Sequence, residues 1–172
     1  MTEPRLTPTS YVVLGLIEFL EPATPYDLKR VSAEGVDRFW SLPHTQLYAE
    51  CGRLAGLGLL AEERETTGRR RRIYRLTDAG RDALSTWRED TSPTHYELRD
   101  AGILKLFFGA DPARLAVSQI AAHRERLATY EALVEVEMRP GMRTALEGGI
   151  GHEREYIRFW ESLAAGGANP ED

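Results

Sequence analysis

The sequence predicts a mainly helical protein with one small β-hairpin wing: a winged helix-turn-helix followed by a helical dimerisation domain of antiparallel, coiled-coil-like helices. Three observations support this prediction. Apolar residues recur every three or four positions along most of the 172-residue chain. One segment, 59–76, shows strand-like alternation and contains a turn. Residues that start and stop helices separate the periodic segments from one another.

Three helices are predicted in succession at the start of the chain. Thr9 or Ser10 can cap the first, and Pro22 ends it, because proline cannot continue a helix. The second runs from about Pro25 to Glu34. The third has Pro43 in its first turn and one buried stripe, which consists of Leu47, Cys51, Leu54 and Leu57.

A β-hairpin is predicted after the third helix, with strands over 59–65 and 69–76 and a turn at Thr67-Gly68. Thr77 then caps a fourth helix. The segment 90–94 has the composition of a turn. It divides a winged helix-turn-helix DNA-binding domain, residues 1–90, from a helical domain for dimerisation, residues 91–172, which could also sense an effector.

The second domain is predicted to be all helical, with segments over 96–108 and from Asp111-Pro112 to Met138, and a last helix after Pro140-Gly141. The middle segment keeps coiled-coil spacing for about three heptads. Its apolar stripe and the last helix are too large to leave in water on a monomer. We therefore expect an interface between two chains that contains Ile120, His123, Leu127, Tyr130, Val134, Ile157 and Trp160.

The net charge of the chain is acidic, at −5. Residues 1–90 carry 13 basic and 14 acidic side chains, and residues 91–172 carry 9 and 13. One short run in the first half is nevertheless uniformly basic; it comprises Arg69, Arg70, Arg71, Arg72 and Arg75. Because a local cluster can bind phosphate even on an acidic chain, the net charge does not exclude a nucleic-acid partner.

The second and third helices have the arrangement of a helix-turn-helix, a motif that places its second helix in the major groove of DNA. Opposite its buried stripe, the third helix presents His44, Thr45, Gln46, Tyr48, Ala49 and Arg53. Gln46 could pair with an adenine edge, and Arg53 with a guanine or a phosphate. The alternative is a polar face that only meets water, and the spacing alone does not decide between the two.

The position of the basic run favours DNA contact. It begins at the tip of the predicted hairpin, so a wing there would hold the arginines from Arg69 to Arg72 against the phosphate backbone. Guanidinium groups match phosphate geometry and can also enter a narrow minor groove. The alternative is an edge strand that charge keeps soluble, but this alternative does not explain why five neighbouring charges share one sign.

Several segments resemble the PadR-type transcriptional regulators. In chain order they are Tyr26-Asp27-Leu28-Lys29, Phe39-Trp40 with Ser41-Leu42-Pro43-His44-Thr45-Gln46-Leu47-Tyr48, Leu54 with Gly58-Leu59-Leu60, Tyr74-Arg75-Leu76-Thr77-Asp78-Ala79-Gly80-Arg81, and Leu104-Lys105-Leu106-Phe107-Phe108. The resemblance covers most of residues 10–160. It also places Tyr26 and Lys29, in the segment similar to the family's second helix, among the residues expected at the DNA.

The resemblance implies a dimeric repressor, often of a nearby gene for detoxification or efflux, which a small molecule releases from its operator. The long C-terminal part looks like the family's larger branch. Three residues depart from the family's pattern, namely Pro25, Ala49 and Gly52. Gly52 stands where a basic residue is usual on the exposed face of the third helix, so the operator sequence cannot be taken from relatives.

The sequence therefore predicts a sequence-specific DNA-binding regulator, a repressor that a small-molecule effector releases. Its expected partners are a palindromic double-stranded operator and a second copy of the chain. The alternative is a protein-interaction module that uses the winged helix as a scaffold without binding DNA. No enzyme and no cofactor are predicted, because the sequence has neither a phosphate-binding glycine loop nor a nucleophile motif.

Cysteine, histidine and aromatic residues could form more specialised sites. Cys51 lies on the apolar stripe and is expected to be a core residue rather than a redox switch. The four histidines lack the spacing of metal ligands, so no metal is predicted. A small aromatic effector could stack on Tyr156, Phe159 and Trp160, although dimer core is the expected role of these rings, and the effector site is left unassigned.

No apolar run approaches the ~20 residues of a membrane helix. The longest, from Tyr11 to Leu20, also lacks the basic flank of a signal peptide. We therefore expect no membrane association and a cytoplasmic location.

Overall fold

The computed structural model describes residues 5–66, 70–94 and 99–166. The chain forms two compact units, Met1–Thr94 and His95–Asp172. The elements of the first are α1 (Pro8–Leu20), α2 (Pro25–Glu34), a 3-10 turn (Val36–Arg38), α3 (His44–Gly56), β1 (Leu60–Arg64), β2 (Arg72–Leu76) and α4 (Asp78–Glu89). The second contains α5 (Ala101–Phe107), α6 (Pro112–Val134) and α7 (Pro140–Gly166).

Helix α1 begins earlier than the sequence pattern indicated. Its cap is Thr7, with Pro8 in the first turn, rather than Thr9 or Ser10. Ser10 instead lies inside the helix, where its Oγ accepts a hydrogen bond of 2.9 Å from the backbone N–H of Thr7. The Ser10 hydroxyl therefore caps the first turn of α1 from a position inside the helix. The helix ends before Pro22, as predicted.

Helix α2 has the predicted bounds and a reciprocal cap. The Thr24 hydroxyl accepts from the Asp27 backbone N–H at 3.3 Å, while the Asp27 carboxylate accepts from the Thr24 backbone N–H at 2.9 Å. These bonds from Thr24 hold the pKa of Asp27 below its ordinary value. The short 3-10 turn after α2 was not predicted from the sequence.

Helix α3 is the centre of the N-terminal core. Leu47, Cys51 and Leu54 are fully covered, as their spacing predicts, but Leu57 is 38% exposed because the helix ends one residue before it. Gly58 then reverses the chain with a left-handed φ of 73°. The buried residues around α3 are Val13, Leu14, Leu16, Ile17, Ala23, Leu28, Leu60, Tyr74, Leu76 and Leu84.

The two strands pair antiparallel, with Leu60 opposite Leu76 and Arg64 opposite Arg72, and are shorter than predicted. A third segment joins them, because Ala23 exchanges two backbone hydrogen bonds with Tyr74, at 2.8 and 3.1 Å. This bridge ties the start of α2 to the base of the hairpin. The predicted turn, Thr67-Gly68, lies outside the described residues.

Helix α4 closes the N-terminal unit. Thr77 caps it as predicted, accepting from the Gly80 backbone N–H at 3.1 Å. Its far end packs on α1, where the rings of Tyr11 and Trp87 stack with centroids 4.7 Å apart. At its start the backbone comes so near β1 that a Cβ on Gly80 would lie 2.1 Å from the carbonyl oxygen of Leu59.

The C-terminal unit consists of one short helix and a long antiparallel helical hairpin. Helix α5 is shorter than the predicted segment 96–108 and starts from an Asp100 cap; residues 95–98 lie outside the described residues. Helix α6 starts at Pro112 as predicted and stops at Val134, short of Met138. Helices α6 and α7 are held side by side by buried apolar residues and by ion pairs such as Arg124–Glu161 at 2.6 Å.

No helix in residues 5–66, 70–94 or 99–166 is long and apolar enough to cross a membrane.

Two glycine substitutions should change stability in opposite directions. Gly80→Ala should destabilise the chain by about 1–3 kcal/mol, because its Cβ would collide with backbone rather than with a flexible side chain. Gly52→Ala, inside α3, meets nothing within 4 Å and should stabilise by up to about 1 kcal/mol. Urea denaturation measures the free energy of unfolding of both variants. Equal changes in this free energy for the two variants would show that α4 and the residue before β1 are less closely packed than described.

Candidate nucleic-acid interface

The exposed face of α3 lies where the sequence predicted it. His44, Thr45, Gln46, Tyr48 and Ala49 are all exposed, and Tyr48 retains 47% of its surface. Leu47 between them is 1% exposed and anchors the helix in the core. Because the buried stripe fixes the rotation of α3, its first two turns present polar and aromatic side chains outward without needing any of them for packing.

Arg53 differs from this expectation. Its guanidinium donates to both carboxylate oxygens of Glu50, at 2.7 and 2.9 Å, and to Ser10 Oγ at 2.9 Å. These bonds hold the pKa of Glu50 below its ordinary value. Since Ser10 belongs to α1 and is fully buried, Arg53 links α3 to α1 within the chain, and its contact with DNA stays a prediction.

Helix α2 adds one exposed aromatic side chain to this surface. Tyr26 is 66% exposed near the helix start, and Lys29, one turn later, is half-buried. The charge of Arg71 on the hairpin contributes to lowering the pKa of Asp27, next to Tyr26. The start of α2 and the base of the wing are therefore neighbours, as the Ala23–Tyr74 bridge also requires.

The described wing arginines are exposed, and three of them form ion pairs with glutamates. Arg71 pairs with Glu65 at 3.1 Å, Arg72 with Glu62 at 3.6 Å and Arg75 with Glu63 at 3.8 Å. Arg70, also exposed, turns the chain with a left-handed φ of 47°. Arg69 lies outside the described residues. Three arginines of the basic run thus face glutamates across the hairpin, although Arg64 stands among those glutamates.

Glu62 is the centre of this charge pattern. It accepts hydrogen bonds from Arg64 at 3.0 Å and from the Tyr74 hydroxyl at 2.9 Å. The bond from Arg64, the bond from Tyr74 and the charge of Arg72 hold its pKa below the ordinary value. Exposed pairs of this kind contribute little to stability and weaken with salt, so a phosphate can compete for the same guanidinium groups.

Sequence reasoning missed two candidates beside α3. Phe39 is 70% exposed and Trp40 is 43% exposed, and both lie between the 3-10 turn and α3. In the sequence they were noted only within a segment that resembles the PadR-type regulators. Their exposure depends on the 3-10 turn that precedes them, which the apolar pattern does not reveal.

The residues expected between two chains separate into two groups. His123, Tyr130, Ile157 and Trp160 are buried inside the hairpin of a single chain. Ile120, Leu127 and Val134, spaced seven apart on α6, are only half-buried and keep surface that a partner could cover. The most exposed apolar side chains of the unit lie on or next to α5 and at the start of α6, namely Leu104, Phe107, Phe108 and Val117, and further ones are Val136, Met142 and Phe159.

The expected core role of Cys51 agrees with its surroundings. The side chain is fully buried, and burial raises the pKa of its thiol to about 12. The described residues hold no group of three or more histidine, cysteine or acidic side chains that could bind a metal ion.

The chain has the fold of a winged helix-turn-helix protein, with an exposed polar face on α3. Residues 13–86 match the model of the "Transcriptional regulator PadR-like family". The chain is also 25% identical over 173 residues to the negative transcriptional regulator PadR of Bacillus subtilis, an alignment that covers 90% of this chain and 94% of that protein.

Solved structures have the same fold. Bacillus subtilis PadR in complex with operator DNA matches with a TM-score of 0.80 and 24% identity, over 91% of this chain and 96% of that chain. The same regulator in complex with p-coumaric acid matches with a TM-score of 0.76 and 24% identity over the same shares. The PadR-like regulator BC1756 of Bacillus cereus has a TM-score of 0.74 at 18% identity, over 97% and 99%.

The model of this family of transcriptional regulators therefore matches the winged-helix half of the chain, and the Bacillus subtilis regulator is similar to the chain along most of its length. The resemblance seen in the sequence is confirmed, and so is the predicted fold class of a mainly helical chain with a hairpin wing.

Cys51 should be inert in the native protein, because a buried thiol with a raised pKa forms almost no thiolate at neutral pH. Ellman's reagent should therefore leave it unmodified until denaturant unfolds the chain, when one thiol per chain reacts. Rapid reaction of the folded protein at pH 7.5 would show that α3 opens far more readily than its packing indicates.

Proposed function

We propose that the chain is a repressor that binds a palindromic operator as a dimer and leaves it when a small molecule binds. The observation that carries this proposal is the exposed face of α3, where Gln46 and Tyr48 are held outward by the buried Leu47. An α-helix so presented fits the major groove of DNA. The relative from Bacillus subtilis is named a negative regulator, and one of its structures holds operator DNA.

Within this proposal the surfaces have different tasks. Gln46, Thr45 and His44 on α3 read base edges, while Tyr48 and Tyr26 fix the position of the helix on the backbone. The arginines of the wing, Arg69 to Arg72, contact phosphates, and Arg71 and Arg72 exchange their glutamate partners for the DNA. Lys29 supports the wing from α2. The interaction-module alternative uses none of these exposed groups and predicts no dependence of DNA binding on them.

Substitutions in the wing and in α3 should change DNA binding in different ways. Arg71→Ala with Arg72→Ala should weaken binding to operator and random DNA alike and lower the salt slope by about one for each phosphate that is no longer neutralised. Gln46→Ala should reduce the preference for operator over random DNA by about 1–3 kcal/mol. Fluorescence anisotropy at several salt concentrations measures both effects.

Two further variants complete that experiment. Glu65→Gln removes the charge that holds Arg71, so it should strengthen binding to all DNA and steepen the salt slope. Arg158→Ala, on the exposed surface of α7, is the matched control and should change neither quantity. If the wing variants behave like Arg158→Ala, the wing is not at the DNA, and the interaction-module alternative gains support.

We infer that the pairing surface lies on the exposed apolar residues of the C-terminal unit. Phe107 is 81% exposed and Phe108 is 77% exposed, and their rings meet edge to face at 5.2 Å. Rings left so open in water favour a partner. A second copy is the natural occupant, because a two-fold dimer sets two copies of α3 at a fixed distance, as a palindromic site requires.

Charge placed on this surface should break the dimer. Phe107→Glu with Phe108→Glu should convert a dimer into a monomer in sedimentation velocity and should lower operator affinity sharply, while the helix content stays unchanged. Leu127→Glu tests the half-buried stripe of α6 in the same way. A wild-type chain that is monomeric at micromolar concentration would contradict the proposed dimer. Dissociation of the dimer by Leu127→Glu, but not by the phenylalanine substitutions, would show that the interface lies on α6.

A further inference from the structure

The segment between α2 and α3 has an ordered backbone. The hydroxyl of Ser32, a residue only 2% exposed, donates to the Asp37 carboxylate at 2.5 Å and so joins α2 to the 3-10 turn. The carbonyl oxygen of Val36 accepts from the backbone N–H groups of Phe39 and Trp40, at 3.1 and 2.8 Å. Backbone hydrogen bonds and a buried hydroxyl therefore organise this segment without help from the Phe39 ring.

The ring of Phe39 is left outside the packing of the N-terminal unit. Phe39 is 70% exposed and Trp40 is 43% exposed, whereas Leu42, two residues further along, is 7% exposed and anchors the chain before α3. Single exposed apolar side chains are ordinary, but this ring follows an ordered turn and has a second exposed aromatic residue next to it. A partner that covers the ring would gain from removing its surface from water.

The position of Phe39 along the chain puts its ring near the part of DNA that α3 would enter. Phe39 precedes His44, the first residue of α3, by five residues, so their Cα atoms are at most about 18 Å apart. The major groove of B-DNA is about 12 Å wide, and a recognition helix contacts base edges with its N-terminal residues. With α3 in the groove, the ring of Phe39 can reach the edge of the same groove.

The charges around the ring fit DNA as the partner. Although the net charge of the chain is −5, residues 38–49 include no acidic residue. The acid just before them, Asp37, is engaged by Ser32. The first turn of α3 also lacks an acidic side chain, so the partial positive charge of the helix start is not neutralised there. A polyanion can therefore approach the ring without meeting a run of carboxylates.

A phenyl ring has one sequence-dependent target in the major groove. Phe39 carries no N–H or O–H group, so it cannot form the hydrogen bonds that polar base edges require. The apolar group that bases present in the major groove is the C5-methyl group of thymine. The C–H groups of deoxyribose are also apolar, but they are the same at every base pair and carry no sequence information. A contact with thymine is therefore how this ring can contribute to specificity.

We propose that Phe39 contacts the C5-methyl group of a thymine at the edge of the half-site that α3 reads. The contact adds an apolar element to the polar reading by His44, Thr45 and Gln46. The 3-10 turn holds the backbone of Phe39 in place before DNA binds, so little further ordering of the chain opposes the contact. The inference rests on the proposed function, because the ring meets a base only when α3 lies in the major groove.

Replacement of thymine by 2′-deoxyuridine tests the contact, because it removes only the methyl group. The probes are duplexes that the full-length chain selects from a random pool, with each thymine replaced in turn, and fluorescence anisotropy measures their affinity. At one position or more, the wild-type chain should bind about fourfold more weakly for each methyl group removed. Phe39→Ala should bind the thymine duplex more weakly by a similar factor and should bind the thymine and uracil duplexes equally.

Two further variants make the comparison specific to the ring. Phe39→Leu keeps an apolar side chain at the same place and should retain part of the preference for thymine over uracil. Leu57→Ala removes an exposed apolar side chain just beyond the other end of α3. It is the matched control and should retain the whole preference.

Three results would overturn the proposal while leaving the regulator intact. The first is a thymine preference that Phe39→Ala keeps in full at every position, and the second is a set of selected duplexes in which no thymine methyl group affects affinity. The third is dissociation of the dimer by Phe39→Ala in sedimentation velocity, which would assign the ring to a second copy of the chain. A wild-type chain that selects no duplex from the pool would instead contradict the proposed function itself.

Discussion

The rest of the N-terminal unit depends on one constraint, which is that α3 must bury one face completely. Leu47, Cys51 and Leu54 share one core with residues from α1, α2, both strands and α4, and this packing fixes both the depth and the rotation of the helix. Once the rotation is fixed, the side chains of Gln46 and Tyr48 must face the solvent. The Arg53–Ser10 hydrogen bond adds a polar link between α3 and α1. The exposed face of α3 is thus a consequence of core packing.

The wing follows a different physical rule. In a two-stranded hairpin the side chains of opposite strands are neighbours, so Glu62 and Glu63 of β1 pair with Arg72 and Arg75 of β2 when no other ligand is present. Each pair is exposed and weak, and a polyanion with many phosphates can displace the glutamates together. Such a wing would bind DNA less tightly than a bare arginine run, because every phosphate contact begins by breaking an existing one. Under the proposed function, the glutamates of the wing therefore reduce its non-specific affinity for DNA.

The sequence revealed the features that depend on neighbours along the chain. The bounds of α2, the Thr77 cap and the α3 stripe follow from local spacing, and all were predicted. The features that the sequence did not reveal depend on distant residues. The capture of Arg53 requires Ser10, 43 positions away. The pairing of the wing arginines requires the hairpin register, because Arg71 and Glu65 meet only across it. The apolar stripe of α6 could not show whether its partner was α7 or a second chain.

The α6–α7 hairpin contains a polar pair that stability does not require. His123 and Glu153 are 8% and 3% exposed and form a hydrogen bond of 2.5 Å. Apolar residues of similar volume would often serve a helical hairpin equally well, since desolvating charged or polar groups offsets much of their attraction. Glu153 also contacts Arg126, so one buried carboxylate orients both an imidazole and a guanidinium. The polar pair therefore fixes how α6 and α7 align, because a shift of one helix along the other would leave both buried groups without a hydrogen-bond partner.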